Sequence, residues 1–130
     1  MTEESRARLD QCVDAIESGY EYFLAYAAQG RRTDKDPGAQ TSEVRDHLEK
    51  MIGAMDVLDN VVRECADPAA LASAAAFFDA VAEDAARAAG VLRLVLARDA
   101  ISSQLVDNLN ASIHVRALLT DLFIVDEALR

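Results

Sequence analysis

One imidazole and three carboxylates fall at intervals that a helix could turn into a site. Glu43 and His47 are separated by one helical turn, and Glu17 and Glu21 repeat the same i, i+4 interval earlier in the chain. Two such pairs facing each other across neighbouring helices would offer a metal ion one nitrogen and three carboxylates. Di-iron and di-manganese bundles are built this way, but from two Glu-x-x-His motifs. Glu43 to His47 has the wrong interval, and no acid stands three residues before His114. Glu17, Glu21, Glu43 and His47 therefore define a second reading, a metal- or ligand-binding bundle, rather than the first.

His47 supports one more kind of chemistry. The stretch His47-Leu48-Glu49-Lys50 resembles histidine phosphotransfer domains, four-helix bundles of similar length, in placing a lysine three residues after the histidine. That resemblance implies an exposed His47 as phospho-acceptor. The chain departs from the pattern at the next position, where the family has a small residue and this sequence has Met51; Gly53 comes two residues later. His114 belongs to a polar line of Ser103, Asp107, Asn110 and His114 at helical steps, which reads as a register-fixing contact at the core margin. Cys12 and Cys65, with no CxxC, read as buried small hydrophobes at one end of the fold.

Aromatic residues gather in one place. Tyr20, Tyr22, Phe23 and Tyr26 are four of the seven aromatics, and helical geometry puts Tyr22 and Tyr26 on one face and Tyr20 and Phe23 on another. Tyr22 and Tyr26 are thus the candidate interaction patch. Arg31 and Arg32 join them from the adjoining loop, where with Lys35 they form the one basic cluster, nearly cancelled by Asp34 and Asp36.

These residues sit on amphipathic segments. Thr2 with Glu3 and Glu4 opens a helix whose stripe runs Leu9, Val13, Ile16, Tyr20, Phe23, Ala27. The polar stretch from Gly30 to Ser42 reads as the longest loop, with Thr41 or Ser42 capping a second helix that ends at Asp67-Pro68. Asp67 and Pro68 are also good N-cap and first-turn residues for a third helix. A shift in the apolar stripe near Arg98 to Ser102 marks a turn into the fourth. The pattern predicts helices over about 3–29, 42–66, 68–98 and 102–128, in one all-α domain covering 1–130, an up-down-up-down four-helix bundle. Wide stripes and an alanine-rich third helix, with fifteen alanines between Ala66 and Ala100, point to a second contact surface and hence a homodimer.

Composition narrows the function classes. With 52% apolar residues and 25 alanines among 130, a folded, helix-rich chain is expected. A net charge of −10 argues against duplex nucleic acid, whose phosphates need a basic face. No apolar run is long enough for a membrane span, and the acidic N-terminus does not resemble a signal peptide, so a cytoplasmic location is expected. No phosphate loop, dinucleotide fingerprint or nucleophile elbow occurs. The leading expectation is a non-enzymatic acidic bundle working through protein contacts, a small adaptor, regulator or chaperone-like subunit, with no cofactor implied.

Overall fold

A computed structural model describes residues 1–35 and 41–129. It is all-helical: α1 (Glu3–Ala27), α2 (Thr41–Cys65), α3 (Pro68–Ser73), α4 (Ala75–Leu96), α5 (Ser103–Ala111) and α6 (Ile113–Ala128) pack together around one apolar core. Thr2 caps α1 by accepting a hydrogen bond from the Ser5 amide, and Asp67 caps α3 through the Ala70 amide with Pro68 behind it. The expected cap of α2 by Thr41 or Ser42 concerns side chains outside the described residues. No described helix is long and apolar enough to cross a membrane.

Two expected helices are broken. The third divides at Ala74 (φ −117°, ψ 29°) into α3 and α4, and the fourth divides at Ser112 (φ −58°, ψ 129°) into α5 and α6. Ser112 explains the second break. Its backbone turns extended while its hydroxyl accepts from the His114 amide, so it ends one helix and caps the next. The buried face shifts across this point, from Val106, Leu109 and Asn110 to Val115, Leu118, Leu119, Leu122 and Val125, and Ile113, one turn after Leu109, is left 73% exposed. α1 also stops two residues early, and Gly30, at φ 65°, takes the left-handed conformation that lets the chain turn away.

α1 packs on α2 and α5, α2 on α4, and α4 on α6. Ile16, Leu48, Leu58, Leu92, Leu118 and Leu122 lie at the centre with almost no exposed surface. Each such side chain contributes about 1.5–3 kcal/mol by leaving water. Along the α1–α2 seam, Arg8 pairs with Glu64, the Met51 side chain fills the space that the missing side chain of Gly19 leaves, and Tyr22 stacks on His47. Across α2 and α4, Arg63 bonds Asp79 and Arg93 bonds Asp56.

One end of the fold is tied by polar groups. Asp34, fully buried in the loop after α1, accepts from the Ile101 amide (2.9 Å) and from Arg45 Nε of α2 (2.9 Å). Arg45 spends its other nitrogens on the carbonyls of Leu96, Arg98 and Asp99, the unsatisfied end of α4. The Arg31 amide donates to Ser103 Oγ and the Ser103 amide donates back to the Arg31 carbonyl, both at 2.8 Å. Burial alone would raise the Asp34 carboxyl pKa. The Ile101 amide and the Arg45 guanidinium outweigh it and hold the group below its ordinary value.

Removing one partner of this pair strands a buried charge. Asp34→Ala and Arg45→Ala are each expected to cost about 3–5 kcal/mol in urea unfolding, with the double variant far from additive. A depressed folded-state pKa means that this contribution is complete above the unfolded value near 3.8 and is lost as pH falls through the folded one. An Asp34→Asn chain is therefore expected to show a shallower acid limb in its stability profile than the native chain.

Candidate functional site

The sequence-predicted residues do not form one site. Glu17 and Glu21 lie on the side of α1 turned towards α6, where they line a hollow with Tyr20, Arg116, Leu119 and Phe123. Glu43 and His47 lie on α2 beside Tyr22. Among the described residues no three His, Cys, Asp or Glu side chains converge where a metal ion could be held. The expectation of a shared Glu17, Glu21, Glu43 and His47 centre is corrected accordingly: α1 turns Tyr22 and Phe23 towards α2, and its two glutamates elsewhere.

His47 is half-buried under Tyr22, with ring centroids 4.3 Å apart and planes 24° from parallel, and Phe23 meets it edge-on at 6.4 Å. Burial, aided by Lys50, lowers its pKa against the pull of Glu43 and Asp46, which favours the neutral ring. A face covered in this way is the opposite of the open ring a phospho-acceptor needs. Met51 is buried against Gly19. His114 is exposed and its ring makes no described contact, while Ser103 and Asn110 of the same polar line point inward. Ser103 Oγ donates to the Tyr26 carbonyl at 2.7 Å and Asn110 Nδ2 to the Phe23 carbonyl at 3.1 Å, locking α5 to the end of α1.

The aromatic patch divides differently from the expectation. Tyr26 is 2% exposed, a core residue whose hydroxyl donates to the Ile101 carbonyl at 2.6 Å. It cannot offer a face to a partner. Tyr22 is half-buried between His47 and Tyr26. Arg31 is half-buried, with Nε bonded to Gln29, and Arg32 is exposed; both border a hollow with Ser102, Gln104 and Asp107. Cys12 and Cys65 are buried free thiols near each other, Cys65 donating to the Ser5 carbonyl, and burial pushes both thiols up so that they stay protonated.

The larger feature runs between α1 and α6. α6 packs mainly on α4 and meets α1 only lightly, and two hollows that share Glu17 open beside α1 as one furrow. Asp10, Asp14, Glu17 and Glu21 line it from α1, at steps of four, three and four residues, and Asp126 faces them from α6. Tyr20, Leu119 and Phe123, the last 61% exposed, supply its apolar surface, and Thr120 and the cation Arg116 line it from α6 as well. Among the described residues Asp14, Glu17 and Glu21 have no ion-pair partner. Burial and then the charges of Asp126, Glu21 and Asp14 raise the Glu17 pKa. The signal is present in the sequence as a row of acids on α1 at helical steps; that α6 leaves them largely uncovered is visible only in the fold.

The chain matches no protein-family model, no curated protein and no solved structure.

Tyr26→Phe is expected to lose about 1–2 kcal/mol in thermal unfolding by leaving the buried Ile101 carbonyl unpaired. Tyr22→Phe keeps its ring contacts and is expected to change stability by less than about 0.5 kcal/mol.

Proposed function

We propose that the chain is a non-enzymatic, cytoplasmic, up-down-up-down four-helix bundle that works through protein contacts and takes a cationic, amphipathic helical segment of a partner in the α1–α6 furrow. In this reading α3 and α4 count as one bundle position and α5 and α6 as another. Support for that topology comes from contacts that pair rising residue numbers on one helix with falling numbers on its neighbour: Arg8 with Glu64 and Tyr22 with His47, then Arg63 with Asp79 and Arg93 with Asp56.

The observation that carries the functional reading is the furrow itself. Its acids extend along about 16 Å of helix at 1.5 Å per residue, so they suit charges spread along a second helix. A single ion would need them to converge, which they do not. Lysines or arginines at helical spacing would answer Asp14, Glu17 and Glu21, and an apolar residue between them would cover Phe123, Leu119 and Tyr20. Self-association has a different surface in this reading. A chain of charge −10 repels its copy across acids, whereas the apolar hollow between α4 and α5, formed by Val91, Leu94 and Leu105 among others, has Arg98 as its one charged lining residue. Leu94 is 67% exposed there, and a homodimer would bury it.

A labelled amphipathic leucine–lysine helix of about five turns is the probe, read by fluorescence anisotropy. The expected result is binding that weakens with salt, falls about tenfold or more in Glu17→Lys/Glu21→Lys, and survives Asp46→Lys/Glu49→Lys on α2. Equal losses from the two double variants would reduce the effect to net charge and overturn the reading. Native mass spectrometry tests the second surface: Leu94→Asp is expected to convert a dimer to a monomer.

A further inference from the structure

We infer that Asp84 and Asp121 share one proton and form a pH-dependent latch between α4 and α6. Asp121 Oδ2 is enclosed, and among the described residues no donor reaches it. The group that faces it from the neighbouring helix is another carboxyl, that of Asp84, itself four-fifths buried at its side chain. Two ionised carboxylates cannot rest against each other in such a place. One proton between them converts repulsion into a charge-assisted hydrogen bond, with one carboxyl donating and the other accepting.

The surroundings supply little to replace that proton. On α4, Arg87 stands 3.9 Å from Asp84 but also serves Glu83 at 3.5 Å, while Asp79 and Arg93 are paired with Arg63 and Asp56 of α2. On α1, the acids facing α6 are Glu17 and Glu21, which border the furrow with Arg116, and Asp10 and Asp14 further along. On α6 itself, Asp126 faces Glu17. Asp107, the single charged residue of α5, lies beside Arg31 and Arg32 in another hollow. Burial, then the hydrogen bond and charge of Asp84, lift Asp121 to about 7, a value that belongs to the pair.

A folded-state pKa above the unfolded value near 3.8 has a definite sign. The latch contributes in full below the unfolded value, and its contribution is lost as pH rises through about 7. Past that point a second negative charge appears between α4 and α6, and the middle of α6 is driven off α4. Leu119 and Phe123 flank Asp121 and line the furrow, so loss of the proton would also alter the docking surface. That last consequence rests on the function proposed above; the latch does not.

The test uses the native chain without any partner: carboxyl carbon NMR titration of aspartate-labelled protein from about pH 3 to 9. One aspartate signal is expected to titrate near neutrality, to vanish in Asp121→Asn, and to fall towards the ordinary carboxylate range in Asp84→Asn, whose amide can donate to Asp121. Urea midpoints should decline between about pH 5 and about pH 8 in the native chain and stay level in Asp121→Asn. Titration of every aspartate at ordinary carboxylate pH, or an Asp121→Asn profile that tracks the native one, would overturn the latch. Either result is obtained whether or not the furrow binds a cationic helix.

Discussion

The ion pair of Asp34 with Arg45 is the contact on which the shape of this molecule turns. Two charges in a largely buried position are costly, and the cost is offset here because Arg45 serves four acceptors and Asp34 receives both a guanidinium and a backbone amide. Through these bonds the loop after α1, the start of α2, the end of α4 and the entry to α5 are held in one arrangement. Ile101 is then fixed from both sides, its amide on Asp34 and its carbonyl on Tyr26. α5 has no freedom left but to lie along α1, where Ser103 and Asn110 bond its backbone carbonyls.

From that fixed start, Ser112 sets the direction of α6. Before the break, α5 packs along α1. After it, α6 leans onto α4, and the space it leaves beside α1 is the acidic furrow. The molecule therefore has one end tied by polar bonds and a flank that is open, and the two are linked through a single redirected helix. The carboxyl pair of Asp84 and Asp121 stands where that helix is held.

Helix existence and core faces are legible in the sequence because they rest on period: Leu9, Val13, Ile16 and Phe23, or Val44, Leu48, Met51 and Leu58, are spaced as the core requires and are buried. The breaks at Ala74 and Ser112 are harder to read, because no glycine or proline marks either, and the second shows only as a jump in apolar phase from Leu109 to Val115 and Leu118 that leaves Ile113 exposed. Asp34 reads as an acid that offsets Arg31, Arg32 and Lys35 in the loop, and its partner Arg45 lies 11 residues away in a helix with other charges, so no local pattern joins them. Helical spacing separates Tyr26 from Tyr20 and so points it at a partner; that spacing does not say which side of α1 the α5 entry will cover. The acids of α1 are visible in the sequence, whereas the groove that gives them meaning is visible only in the fold.

Amide hydrogen exchange, read residue by residue with and without a cationic amphipathic helix, tests the central claim that a pinned polar end leaves a furrow open for a partner. The slowest exchange is expected at Ile101, Ser103 and Arg31, faster exchange along α6 from Arg116 to Asp126, and protection on adding the helix confined to α6 and to α1 between Asp10 and Glu21. Fast exchange at Ile101 and Ser103, or protection falling on α2 and α4 instead, would contradict it.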